Sequence, residues 1–216
     1  MMNEYPKIET IFDRDPATHG VVWDRWRTPE FEYLQDAHWL WTEKVDGTNI
    51  RIMWDGQRLT FGGRTDNAQI PAFLIDRLRQ LFEQKSAERC SVFGLSNVVL
   101  YGEGYGNKIQ KTGHLYLADS QDFVLFDVRV NDRWLEYDGI LSVAEGLSIP
   151  AVPVVGGGCL HNAASMAMGG FDSMWGEFMA EGLVVRPAIT LLDRRGNRIM
   201  GKIKYRDFRA QEDQKS

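Results

Sequence analysis

At 216 residues with 44% hydrophobic composition, the chain can bury one good core, which makes one domain the expectation and two small ones the limit. A net charge of −5 excludes a protein that coats nucleic acid by bulk electrostatics, because that mode needs many Lys and Arg to neutralise phosphates. Cys90 and Cys159 lie far apart without metal-type spacing, and the polar N-terminus has no apolar run, so zinc, a disulfide framework, a signal peptide and a membrane span are all set aside and a soluble, cytoplasmic protein is expected.

In chain order, the first forty residues are rich in Trp, Asp and Arg and show no clear periodicity; Trp23, Trp26, Trp39 and Trp41 read as core or as an N-terminal flap. From Trp39 the pattern changes. Ile50-Arg51-Ile52-Met53-Trp54, then Asp55-Gly56, then Arg58-Leu59-Thr60-Phe61 predict a hairpin, with Lys44 at or just before it. Pro71 ahead of Phe73, Leu74, Leu78, Leu81 and Phe82 predicts an amphipathic helix to about Lys85. Strands are expected at Val98 to Tyr101 and Phe123 to Val130, the second turning at Asn131-Asp132 into Trp134 to Tyr137. Asp138 reads as the cap of a short helix ending near Gly146, Pro150 and Pro153 bracket an extended piece, and Gly156-Gly157-Gly158 reads as a turn or hinge.

Asn162 to Met168 and Asp172 to Met179 are expected as short helices before a strand at Leu183 to Arg186, with Met166, Met168, Met174 and Met179 as core fillers. A last hairpin turns at Arg195-Gly196-Asn197 and places Lys202 and Lys204 on one face of a strand. Basic residues crowd this end, from Arg186 to Arg209, and Ala210 to Ser216 reads as a frayed polar tail. The sum is mixed α+β with largely antiparallel sheets.

The chemistry concentrates in Glu43-Lys44-Val45-Asp46-Gly47-Thr48-Asn49, where a lysine, an acid, a glycine and two short polar side chains follow an apolar segment. Alone this run is weak. It is followed, in order, by Gly63-Arg64-Thr65, Tyr101-Gly102-Glu103-Gly104, Phe126-Asp127-Val128, Glu181-Gly182-Leu183-Val184-Val185-Arg186 and Lys202-Ile203-Lys204. That ordered set resembles the covalent nucleotidyltransferase superfamily of polynucleotide ligases and capping enzymes, and within it the RNA ligases of the nick-sealing type, from Glu43 to Lys204. The nick-sealing branch often has histidine where this chain has Asp46.

The resemblance implies a single-domain nucleotidyltransferase (ATP-grasp-like ligase) fold of antiparallel sheets flanked by helices. Residues 1–209 would form the adenylyltransferase domain, 1–38 being its N-terminal extension. Relatives usually carry a further module after the last lysine motif, and with twelve residues beyond Lys204 no C-terminal accessory domain is expected here.

The resemblance also implies an ATP-dependent RNA ligase using Mg²⁺ or Mn²⁺. Lys44 would take AMP from ATP, pass it to an RNA 5′-phosphate, and an RNA 3′-hydroxyl would then displace it. An unperturbed lysine has a pKa of ~10.4, so roughly 4 to 5 kcal/mol separates the ammonium from the nucleophilic amine at pH 7. Nearby cations, Lys202, Lys204 and a metal, lower that cost, whereas Asp46 and Glu181 raise it unless metal occupies them.

By the same resemblance, Glu43 is the adenine-reading position and Phe126 the stacking aromatic. Arg64 and Glu103 hold the ribose and neighbouring phosphate. Glu181, with Asp46, organises metal, Lys202 and Lys204 bind the α-phosphate, and Asn49 engages the 5′-phosphate end. Without a C-terminal module, either weak RNA binding with strong salt dependence or a partner protein supplying RNA contacts is a further expectation. The rival readings are a DNA ligase, a GTP-dependent capping-type enzyme, and an RNA-end-binding protein that does not seal.

Overall fold

The computed structural model of the protein describes residues 4–18, 20–83 and 91–209. The expected helix end at Lys85, Cys90 and the polar tail from Ala210 lie outside them. The chain divides into two compact units, one formed by residues 1–6 and 46–152, the other by 7–45 and 153–216. Each has its own antiparallel or largely antiparallel sheet and short helices, the α+β architecture expected.

In the 46–152 unit the alternation of Ile50, Ile52 and Trp54 with Asn49, Arg51 and Met53 makes strand β5 (Thr48–Trp54), since successive side chains point to opposite faces. It pairs antiparallel with β6 (Leu59–Gly62) across the Asp55-Gly56 turn and with β7 (Val98–Gly106) on its other side. β8 (Gln121–Val130) and β9 (Arg133–Trp134) complete the order β6-β5-β7-β8-β9. Helices α2 (Ala72–Phe82) and α4 (Tyr137–Gly146) pack on β8. Their apolar faces close a core of Ile50, Ile52, Leu74, Leu78, Phe82, Leu100, Phe123, Leu125 and Ile140, each worth about 1.5–3 kcal/mol when fully buried. A one-turn helix, α3 (Gly113–Tyr116), lies between β7 and β8.

In the other unit the five-stranded sheet runs β1 (Glu9–Thr10), β12 (Gly201–Lys204), β11 (Gly182–Pro187), β4 (Trp39–Glu43), β10 (Val154–Gly158). All its pairs are antiparallel except β1 with β12. β2 (Phe12–Arg14) and β3 (Val21–Trp26) form a separate ribbon. Helix α1 (Pro29–Tyr33) starts on Thr28, whose Oγ1 accepts from the Phe31 N–H, with Pro29 in the first turn. Helix α5 (Leu160–Gly169) buries Leu160, Ala163, Ala164 and Ala167, one face at helical spacing whose small side chains let the helix lie close on β11 and β12. Helix α6 (Arg206–Arg209) follows β12. Trp39 and Trp41 are core, as one of the two readings held, whereas Trp23 is exposed.

Five expectations need correction. β7 continues to Gly106 rather than stopping at Tyr101, because Gly102 lets the Phe123 ring lie against its backbone. The second strand of the Asn131-Asp132 turn ends at Trp134, and Tyr137 opens α4 with Glu136 as its N-cap, so Asp138 lies in the first turn. Gly156-Gly157-Gly158 is not a hinge but strand β10, and a Cβ on Gly156 would fall 2.5 Å from the Trp41 ring. Asp172 to Met179 is a tight loop closed by a bridge between those two residues, not a helix. Met166 packs on the core, but Met168, Met174 and Met179 are exposed. No helix among the described residues is long and apolar enough to cross a membrane.

Candidate active site

Strand β4 delivers Lys44 and pins it from behind. Glu43, its last residue, is 1% exposed, and Ser173 Oγ and the Met174 N–H donate to its two carboxylate oxygens at 2.6 and 2.7 Å. Burial pushes the Glu43 carboxyl above its ordinary value, and those two hydrogen bonds offset only part of the effect. The 172–179 loop thus presents the Ser173 hydroxyl and the Met174 N–H to Glu43.

The Lys44 N–H donates to Gly182 O at 2.8 Å. Gly182 has φ +150° and a Cβ there would lie 2.0 Å from Ile203 O, so only glycine brings β11 this close. The residue before it, Glu181, then faces two ammonium groups. Its Oε2 lies 2.6 Å from Lys44 Nζ and its Oε1 2.6 Å from Lys204 Nζ, with side chains only 12–23% exposed. Burial pushes the Glu181 carboxyl up, but the Lys44 charge and the hydrogen bonds from Lys204 and Lys44 outweigh it and hold it below the usual carboxylate range.

Lys202 lies two residues before Lys204 on β12, and alternation gives both the same face. Burial, reinforced by the charges of Lys204 and Lys44, holds its amine below the ordinary lysine range. No ion pair neutralises it among the described residues. Glu181 is thus shared by two lysines, with Lys202 on the same face of β12 as Lys204, a locally cationic arrangement suited to an anionic ligand.

The remaining predicted residues belong to the 46–152 unit. Thr112 Oγ1 donates to Asp46 Oδ2 at 2.5 Å, Tyr116 Oη accepts from the Asp46 N–H at 3.1 Å, and Gln110 Nε2 donates to Gly47 O at 2.9 Å. Gly47 is obligatory for a steric reason, since a Cβ would sit 2.3 Å from Gly104 O. Asn49 and Glu103 are direct register partners across β5 and β7. Among the described residues Asn49 Oδ1 is closed off from solvent with no hydrogen-bond partner.

Phe126 is the extra residue of a bulge: Leu125 pairs with Gly102 and Asp127 with Tyr101, leaving Phe126 without a register partner. Bulges re-aim a side chain, and its half-buried ring stands edge-on to Tyr5 at 5.0 Å. Tyr5 Oη donates to Asp127 Oδ2 at 2.7 Å. Arg64 is exposed on the turn after β6. The structure thus brings Lys44, Glu181 and Lys204 into contact, and sets Asn49 opposite Glu103. Ser173, Thr112, Gln110, Tyr116 and Tyr5 join these residues without any local signal in the sequence.

Lys44 is a half-buried lysine at a strand end, bridged by Glu181 to a second lysine and followed by a turn at Gly47 that has no room for a Cβ. The family model for RNA ligase matches residues 37–204, and the chain belongs to the RNA ligase family. Among curated proteins none matches in sequence. Among solved structures, a mutant of Naegleria gruberi RNA ligase with ATP and Mn shares the fold at a TM-score of 0.67 and 19% identity, covering 96% of this chain and 64% of that one. The same Naegleria enzyme with PPi gives 0.66 and 20%, covering 97% and 64%. A mutant of it with AMP and Mn gives 0.66 and 20%, covering 96% and 63%. This chain therefore spans about 64% of the length of the structures it resembles.

Proposed function

We propose that this chain is an ATP-dependent RNA ligase domain that works through a lysyl-AMP intermediate on Lys44. In the first step Lys44 Nζ loses its proton and attacks the α-phosphorus of ATP; an N–P bond forms, the P–O bond to the β-phosphate breaks, and pyrophosphate leaves. In the second an RNA 5′-phosphate oxygen takes the AMP and the N–P bond breaks. In the third an RNA 3′-hydroxyl attacks that phosphate, forms the phosphodiester and releases AMP.

The observation that carries this reading is the Lys44–Glu181–Lys204 contact. Lys204 and the unneutralised Lys202 are suited to charge developing on the α-phosphate, where fixed donors in a partly buried site act most strongly. The Naegleria structures with ATP and Mn, AMP and Mn, and PPi support ATP and a divalent metal as the ligands.

Among the described residues no three His, Cys, Asp or Glu side chains gather as a cage. Mg²⁺ or Mn²⁺ usually takes one or two carboxylates together with substrate phosphates, and Glu181 and Asp46 are each proposed as an acid for it. A cation there would supply charge stabilisation and draw Glu181 away from Lys44, freeing the amine to lose its proton.

Glu43 is proposed as the adenine-proximal residue with its carboxylate turned into the protein, Phe126 as the stacking ring, Arg64 and Glu103 as ribose and phosphate contacts, and Asn49 as the 5′-phosphate contact. The RNA would carry 5′-phosphate and 3′-hydroxyl ends.

Sealing is tested by incubating the chain with ATP, Mg²⁺ and 5′-labelled RNA, nicked or single-stranded. Conversion of the label to a phosphatase-resistant, longer product supports ligation. Accumulation of AMP on the RNA 5′ end without a longer product, in every RNA tried, would contradict it.

A further inference from the structure

Arg51 lies at the centre of β5 and belongs to none of the motif positions above, yet only 1% of its side chain is exposed. Its Nε donates to Gly63 O at 2.6 Å and its Nη2 to Asp66 Oδ1 at 2.8 Å. The two bonds grip the chain one residue before and two residues after Arg64. The turn is packed around the guanidinium: a Cβ on Gly62 would lie 3.0 Å from Arg51 Nη2 and one on Gly63 2.8 Å from Ala68 Cβ, while the Ala68 N–H closes on Thr65 O at 3.1 Å.

Arg64 itself is exposed, and no hydrogen bond or ion pair holds its guanidinium among the described residues. Its placement is therefore set by the main chain on either side of it. A planar guanidinium reads a carbonyl and a carboxylate at fixed angles together, which an ammonium on a flexible stem does not. Stability gives a poor account of Arg51. Its acid partner is 74% exposed and among the described residues its Nη1 is buried without a partner, and buried ion pairs of this kind are weak contributors to folding.

We propose that Arg51 is a positioning residue for Arg64: it fixes the Gly63 to Asp66 turn so that the Arg64 guanidinium is presented to the ribose or phosphate of a bound nucleotide. This rests on the reading of Arg64 as a nucleotide contact. The loss on disturbing Arg51 then falls on nucleotide binding, and it passes through Arg64.

The test uses the full chain with Arg51→Lys, Asp66→Asn, Arg64→Ala and the Arg51→Lys/Arg64→Ala double variant. Self-adenylylation is followed against ATP concentration, and amide hydrogen exchange is followed over residues 63–68. Arg51→Lys should raise KM for ATP about tenfold with the saturating rate changed less than about twofold, and the double variant should be no worse than Arg64→Ala alone. Asp66→Asn, which keeps a side-chain oxygen for Arg51 Nη2 but removes the charge, should speed exchange over 63–68 by about fivefold or more. Losses that add in the double variant, or unchanged exchange in Asp66→Asn, would overturn the proposal. Faster exchange in Asp66→Asn in a chain whose wild type takes no label from ATP would instead leave the clamp standing and overturn the nucleotide role of Arg64.

Discussion

Glu181 Oε2 lies 2.6 Å from Lys44 Nζ, and the same carboxylate holds Lys204 through its other oxygen. This contact pairs the proposed nucleophile with a carboxylate, so something must compete for Glu181 before Lys44 can attack. A divalent cation is the natural competitor. The alkaline rise of the adenylylation rate should therefore move to lower pH as Mg²⁺ is raised, followed by single-turnover label transfer across pH at several Mg²⁺ concentrations. A curve that keeps its position at every Mg²⁺ concentration would remove the metal from this role.

The same contact makes a stability prediction with a definite sign. Although burial pushes the Glu181 carboxyl up, the Lys44 charge and the two lysine hydrogen bonds prevail and hold it below its ordinary value of 4.5. Its contribution is thus fully present above about pH 4.5 and is lost as pH falls through the folded value. Glu181→Gln should lower stability by about 2 kcal/mol at pH 7. Urea midpoints at descending pH should show the gap narrowing once the carboxyl protonates.

Lys202 and Lys204 look alike in sequence but differ in what neutralises them. Lys204 is paired with Glu181, whereas burial and two like charges work against the Lys202 ammonium, a cost present below its lowered folded pKa and relieved as pH rises through it. Lys204→Met should destabilise the fold by about 1–2 kcal/mol, and Lys202→Met should leave stability within about 0.5 kcal/mol or raise it. Both should weaken pyrophosphate binding measured by calorimetry. Equal destabilisation by the two would contradict the asymmetry.

Gly47 illustrates why a short motif needs its glycine. A Cβ at this position would meet backbone, Gly104 O at 2.3 Å, which cannot rotate away as a side chain would. Gly47→Ala should cost about 1–3 kcal/mol in stability and should also depress adenylylation at saturating ATP, measured on protein verified as folded. Wild-type stability in this variant would mean that the two strands tolerate more separation than the packing indicates.

Much of the fold was legible because periodicity was strong where the core was strong. Ile50, Ile52 and Trp54 announced β5, Pro71 with Leu74 and Leu78 announced α2, and the alternation in Lys202-Ile203-Lys204 put both lysines on one face. The glycine run at 156–158 gave no pattern to read, since its strand character comes from the Trp41 ring packed against Gly156. The 172–179 segment had helical spacing but was claimed by Glu43, which draws Ser173 and the Met174 N–H to its carboxylate. Phe126 could be named from its motif, but the bulge that re-aims it depends on pairing with a distant strand. Thr112, Gln110 and Tyr116 were invisible for the same reason: they reach Asp46 and Gly47 across more than sixty residues of chain.

The most direct test of the account is intact mass measurement of the purified chain before and after incubation with ATP and Mg²⁺, and after treatment with excess pyrophosphate, with Lys44→Ala and Lys44→Arg alongside. One added AMP is expected, carried by the peptide containing Lys44, reversed by pyrophosphate and absent from both variants. A chain that remains at its unmodified mass throughout, or an AMP adduct that persists when Lys44 is replaced, would contradict it.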